Sequence, residues 1–200
     1  MSNKIYMLRK TPSPLLVLAA GFVMASSSDV RAALGMGVAV ILTLLLSSIV
    51  ISAIRKIVPN VAKLPTYVLI ITGFVTLIDM LMQAWYPEVV EMLGVHLACL
   101  SVSAVAFRDA EEVAGKHGEF ESISVSLVTG GFLTVIMLIC ALIREFFGNA
   151  SIWGIQIDFM NDYKVSALAG AFGGYLVLAV VLAIIRKVLH LIHKDEKEEA

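Results

Sequence analysis

The chain has 200 residues, 59% of them hydrophobic and 16% charged, with a formal net charge of −1. Soluble domains hold about 45–50% apolar residues, so a water-soluble enzyme or binding domain is excluded and an integral membrane protein is implied. The near-neutral balance gives no basis for a nucleic-acid partner.

In chain order, the first apolar run is 14–25, preceded by Lys4, Arg9 and Lys10 and followed by Ser26-Ser27-Ser28-Asp29. The same layout fits a cleaved secretory signal. Retention is the favoured reading, because cleavage would leave five spans with no soluble domain to export. The run 33–54 is apolar on all sides and long enough for a full crossing, ending at Arg55, Lys56 and Pro59. A second full span covers 64–86, with Trp85 and Tyr86 as interfacial rings. After an acidic link at 87–91, the run 93–107 (LGVHLACLSVSAVAF) is apolar but reaches only about 22 Å as a helix, against a hydrocarbon core of about 30 Å. A polar loop is expected next, carrying Arg108, Asp109, Glu111, Glu112, Lys116, His117, Glu119 and Glu121. The fifth span is 123–143, with Arg144 and Glu145 as interfacial anchors at its end. An amphiphilic loop with Phe146, Phe147, Trp153, Phe159 and Tyr163 precedes the sixth span, 167–185. Arg186 and Lys187 close that span, and 188–200 forms a charged tail.

If every segment crosses, all but three of the 15 Lys and Arg residues fall on one side, the exceptions being Arg31, Arg144 and Lys164. The positive-inside rule then puts both termini in the cytoplasm, at a bacterial or archaeal inner membrane. Two short segments, one in each set of three, point to inverted repeats whose half-helices meet near the midplane. The expected fold is an all-α membrane protein of six helices in one domain, 1–200. Residues 12–86 form the first three-helix repeat and 92–187 the second, with the first and fourth helices as short half-spans. Ser52 to Lys56 (SAIRK) and Ala141 to Glu145 (ALIRE) echo each other at the ends of the second and fifth spans.

Four residues are candidates for an ion path. Asp79 and Gln83 lie one turn apart on the third span, so they share a face; Asp79 either serves an ion or proton, or simply accepts a hydrogen bond from Gln83 or a neighbour. His96 on the short span either shuttles protons or binds a backbone carbonyl. Glu111 belongs to the acidic loop, which either attracts cations or is a solvated face. Cys99 and Cys140 lie in apolar runs without metal-ligand spacing and read as small hydrophobes. No nucleophile–base pairing, phosphate-binding glycine loop or flavin-attachment signature occurs, so no catalytic residue is assigned.

Several stretches resemble the RnfE/NqrD family, whose members are membrane subunits of the Rnf electron-transport complex and of the sodium-translocating NADH:quinone reductase. They are Ile54-Arg55, Val58-Pro59, Leu64-Pro65-Thr66-Tyr67-Val68, Ile70-Ile71, Phe74-Val75-Thr76, Asp79, Leu81-Met82-Gln83-Ala84, Pro87, Leu93-Gly94-Val95, Ala110-Glu111, Ile143-Arg144-Glu145 with Gly148, and Ala171-Phe172-Gly173-Gly174-Tyr175-Leu176. The resemblance covers nearly the whole membrane region and is most specific over 64–94. It implies six helices in two inverted halves and a sister subunit (RnfA/NqrE-like) of the same fold but opposite topology. It also implies membership of a complex coupling electron transfer to sodium or proton translocation.

In that family each short helix carries a cysteine, and two such subunits pool four thiolates around a [2Fe-2S] cluster. Alignment on Ala33-Leu34-Gly35 and on Leu93-Gly94-Val95 puts these positions at Gly21 and Ala104, neither a thiol. The family's Asp-Gly before the fifth span is also missing, the region reading Ser124-Val125-Ser126. The expectation is therefore a non-catalytic subunit that binds no cofactor alone, with [2Fe-2S] and flavins in partner subunits. The alternative is a redox-silent paralogue acting as a small ion or solute transporter, or as an assembly scaffold.

Overall fold

A computed structural model describes residues 29–115, 119–149, 151–152, 155–156 and 170–198. Helix α1, Val30–Ile54, is apolar around its whole circumference and half buried, as expected of a span enclosed by neighbours. A 3-10 turn, Asn60–Ala62, leads into α2, Lys63–Trp85. Pro65 fits the first turn of α2, where the backbone N–H has no intrahelical acceptor to lose. Only 22% of the most apolar window of this span is buried, so α2 turns most of its surface outward, with Leu69, Met80 and Trp85 exposed.

The segment expected to be one short helix is broken. Helix α3, Pro87–Leu93, stops at Gly94, whose φ of 50° lies in the left-handed region that glycine tolerates. The following pieces are α4 (Val95–Cys99), a 3-10 turn (Leu100–Val102), α5 (Ala104–Arg108) and a π-helical turn (Asp109–Ala114). The chain bends by 71° across Gly94. Ser103 interrupts it again in an extended conformation, its Oγ accepting a hydrogen bond from the Ala106 N–H at 3.3 Å. Irregular backbone at membrane depth persists where such local partners exist and protein covers it.

The expected polar loop after Phe107 is corrected over its first half. Residues 108–114 are helical, and Asp109, Ala110, Val113 and Ala114 are buried, because the π turn rotates this face onto α1. The fifth span is also longer than 123–143. Helix α6, Glu119–Asn149, has 31 residues and a length of about 46 Å, so it projects beyond the hydrocarbon. A two-residue antiparallel hairpin follows, with Ser151 opposite Gln156 and Ile152 opposite Ile155. Helix α7, Ala171–Glu198, carries its apolar stretch at Phe172–Ile185 and continues as helix into the charged C-terminal segment.

Apart from that hairpin the described elements are all helical, of α, 3-10 or π type, and five of the six expected segments fall among them, the fourth as a broken helix. Three are long and apolar enough to cross a membrane, or four if the bent pair at Gly94 is counted as one span. The first short segment, 14–25, with Gly21, lies outside the described residues, as do Lys116, His117, Trp153, Phe159 and Tyr163.

The core is built on α1 and α6, which run antiparallel. Gly37 faces Thr134, Ile41 faces Gly130 and Ser48 meets Ser126 along the same line. Met36, Val40 and Leu44 are buried on α1, and Leu133, Ile136 and Met137 on α6. Small residues permit the approach: a Cβ on Gly130 would lie 3.0 Å from Ile41 Cγ1 and 3.2 Å from its Cα, and one on Gly37 would collide with the Thr134 side chain. Thr134 Oγ1 donates to the Gly130 carbonyl at 2.8 Å and approaches the Gly37 carbonyl at 3.3 Å. Gly131, next to the contact, has open space around it. Gly130→Leu should therefore separate the two helices and cost about 1–3 kcal/mol or more, read as a lower melting temperature in detergent, while Gly131→Leu should melt like the wild type. Equal melting temperatures for the two variants would contradict this packing.

Candidate functional site

The α1–α6 seam is apolar at its centre and polar toward the Ile54 end of α1. Thr43, Ser47, Ser48 and Ser52 of α1 and Ser122, Ser126 and Thr129 of α6 are all buried. The antiparallel register that joins Ser48 to Ser126 brings Ser52 level with Ser122 and Thr43 close to the level of Thr129. Ser47 satisfies itself by donating to the Thr43 carbonyl at 2.6 Å, a common arrangement for a hydroxyl inside an apolar helix. Into this row the π turn inserts Asp109, which is only 4% exposed.

Ser126 Oγ donates to Asp109 Oδ2 at 2.6 Å and lies 2.9 Å from Ser48 Oγ. One hydroxyl proton cannot serve two acceptors. With the carboxylate as the stronger acceptor, the Ser48 hydroxyl supplies the second bond. Three elements thus converge on one oxygen chain. Asp109 Oδ1 and Thr43 Oγ1 are buried and have no hydrogen-bond partner among the described residues. Arg108 precedes Asp109 and acts on it electrostatically, but gives Oδ1 no hydrogen bond.

A second buried polar group lies at the opposite end of the seam. Arg144 and Glu145, expected as interfacial anchors, are instead 5% and 1% exposed. Glu145 Oε2 accepts the Val30 N–H at 3.0 Å, so a carboxylate from α6 caps the first turn of α1, whose own N-cap residue, Asp29, makes no side-chain cap bond. Arg144 Nη2 donates to the Gly170 carbonyl at 3.3 Å, and Asp29 lies within its electrostatic reach. Helix α6 continues past Ile143 and carries the pair into the protein, which is why the reading of a helix end near water fails.

Of the four ion-path candidates from the sequence, Asp79 and Gln83 share a hydrogen bond, and among the described residues neither His96 nor Glu111 bonds to them. Asp79 is half-buried and accepts from Gln83 Nε2 at 3.0 Å, on a largely exposed part of α2. His96 is exposed, its Nδ1 3.0 Å from the Leu93 carbonyl oxygen. Glu111 is exposed and acts electrostatically on Tyr67, which precedes Asp79 on α2 by about 18 Å of helix. Sequence reasoning missed Asp109, Ser48 and Ser126 as a unit. The available signal was Ser48 and Ser52, with Ser122 and Ser126, each pair spaced by four in an apolar helix.

The sequence profile described as "Rnf-Nqr subunit, membrane protein" matches residues 5–186. The chain belongs to the Rnf-Nqr family. Among Rnf-Nqr proteins it is 30% identical to the E subunit of the Na(+)-translocating ferredoxin:NAD(+) oxidoreductase complex of Acetobacterium woodii, over 89% of this chain and 91% of the relative. It is 32% identical to the E subunit of the ion-translocating oxidoreductase complex of Methanosarcina acetivorans, over 88% and 85%. It is 28% identical to the E subunit of the proton-translocating ferredoxin:NAD(+) oxidoreductase complex of Clostridium ljungdahlii, over 87% and 83%. The likeness to these relatives thus extends across the membrane region.

The residues present do not fit the [2Fe-2S] cluster that the family resemblance implies. At the two positions that the resemblance aligns with the family's cysteines, Ala104 opens α5 with a methyl group and Gly21 has no side chain. Cys99 is exposed at the end of α4, on the far side of the 3-10 turn and of Ser103, while Cys140 is buried on α6. Among the described residues, no group of three or more His, Cys, Asp or Glu is placed to hold a metal ion.

The Glu145 cap generates a prediction. Glu145→Ala removes the acceptor for a buried N–H and should destabilise the protein by about 1–2 kcal/mol. Glu145→Gln keeps an acceptor and should lose less. Thermal melts in detergent in which the two variants match each other, or match the wild type, would contradict the cap.

Proposed function

We propose that the chain is a non-catalytic membrane subunit of an Rnf/Nqr-like complex that couples electron transfer to the movement of an ion, without ligating a cluster of its own. The observation that carries this reading is the family match over 5–186 combined with Gly21 and Ala104 at the two cysteine positions. Relatives of similar identity are named for sodium and for protons, so the family relation alone does not choose the ion.

The finer arrangement is two inverted three-helix halves, with both termini cytoplasmic and an inverted-topology sister subunit alongside. The α1–α6 pairing supports the inversion. The second and fifth segments are the ones such a repeat would relate, and they pack antiparallel with a glycine contact contributed by each. The outward apolar surface of α2, together with Asp79 and Gln83, supplies a face for the sister subunit or for lipid. Flavins and iron-sulfur centres belong, on this reading, to partner chains.

Isolation of the tagged chain from its native membrane should recover flavin- and iron-carrying subunits. A [2Fe-2S] electron paramagnetic resonance signal should survive the double change Cys99→Ala and Cys140→Ala. Recovery of the chain alone, with saturable solute or ion uptake after reconstitution in liposomes, would favour the transporter alternative instead. Within the complex, Asp79→Asn should reduce ion movement without loss of subunits. Full ion movement by that variant would remove Asp79 from the path and leave it a structural acceptor.

A further inference from the structure

The Asp109 carboxylate is a feature of the seam that the cluster-free reading leaves unexplained. It is a charged group type inserted between two membrane-spanning helices, 4% exposed, with one oxygen engaged by Ser126 and the other without a partner among the described residues. Buried polar atoms in native proteins are almost always satisfied, and a bare one calls for a cause, such as an ion. Ionisable residues within membrane segments mark ion pathways by default.

Neither protonation state of Asp109 gives Oδ1 a partner. Ionised, the group leaves a lone-pair oxygen facing protein. Neutral, with its proton on Oδ2 toward Ser126, it leaves Oδ1 equally bare. A cation beside Oδ1 resolves the first case directly. The surroundings also select its class. One carboxylate and neutral hydroxyls from Ser48 and Ser126 are hard oxygen donors, which suit alkali and alkaline-earth ions rather than zinc or copper. A single negative charge, with no further acidic cluster at hand among the described residues, matches a monovalent ion better than calcium, which takes six to eight oxygens and usually several carboxylates.

We propose that Asp109, its Oδ2 held by the Ser126–Ser48 hydroxyl chain and its Oδ1 left bare, is the centre of a site for a sodium ion inside this chain. The site lies six residues before the end of α1, about 9 Å along the helix, on the side the charge bias makes cytoplasmic. The inference deepens the ion-movement reading and rests on it for its purpose, although sodium binding is a property of the chain itself.

The test is equilibrium binding of radioactive sodium to the purified full-length chain in detergent, with choline chloride holding ionic strength constant. The expected result is saturable binding of one sodium ion per chain. Binding should be lost in Asp109→Asn and weakened about tenfold in Ser126→Ala. Sodium should also raise the melting temperature of the wild type relative to choline, and should not raise that of Asp109→Asn. If Asp109→Asn does not fold, Ser126→Ala and Ser48→Ala carry the comparison, and wild-type affinity in both overturns the site. Absence of saturable sodium binding to the wild type, or wild-type binding by Asp109→Asn, also overturns it. Either result leaves complex membership untouched, while failure to isolate redox partners leaves the sodium result standing.

Discussion

The antiparallel contact between α1 and α6 is the constraint on which the rest of the described structure depends. In a bilayer the lipid tails are as apolar as the side chains, so two long helices gain little from burying leucine against each other. They associate where backbones approach closely and polar groups find partners. Gly37 and Gly130 supply the first condition. Hydrogen bonds at the two ends of the pair supply the second, Glu145 to the start of α1 and Ser126 to Ser48 near its end. Other elements arrange themselves around this pair. The π turn lies on it, Arg144 bonds to the Gly170 carbonyl just before α7, and α2 packs on one side with most of its surface turned outward.

The broken segment after Trp85 is the structural price of placing a carboxylate in that seam. A continuous helix from Pro87 could not both leave α3 in one direction and return its end to α1. The left-handed Gly94 makes the first change of direction and the extended Ser103 the second. The π turn then carries one residue more per hydrogen-bonded ring than an α-helix, which shifts the facing of everything after Arg108. Asp109 meets Ser126, while Glu111, two residues later and about 200° round the helix, stays exposed. The same segment is therefore both the least regular part of the described membrane region and the part that delivers its buried carboxylate.

Much of the helical plan was legible in the sequence because apolar length is a direct physical requirement of the bilayer. The runs at 33–54 and 64–86 became α1 and α2 with shifts of a few residues, and the shortness of 93–107 was a true sign of an interrupted span. What could not be read was facing. A charged residue beside Arg108 and before Glu111 looks like part of a solvated loop, since periodicity over so short a stretch cannot distinguish an α-turn from a π-turn. Arg144 and Glu145 failed for the opposite reason. An apolar run ends at Ile143, and nothing in composition reveals that the helix continues and that its charges turn toward Val30. The serines on α1 and α6 carried the missing information, but a serine spaced by four is compatible with back-bonding to its own helix, as Ser47 does, as well as with a partner across the seam.

The comparison between the two buried carboxylates gives the site its meaning. Glu145 has what a structural carboxylate needs, because its Oε2 takes a backbone N–H at the positive end of a helix, with Arg144 adjacent in sequence. Nothing about it requires a further ligand. Asp109 occupies the other end of the same helix pair with similar burial and a weaker set of partners, one hydroxyl on Oδ2 and none on Oδ1 among the described residues. A group retained only for packing would be expected to resemble Glu145, since an apolar residue of the same size would fill the position at lower cost. The difference between the two, within one seam and one chain, separates a carboxylate that holds helices together from one arranged to hold something else.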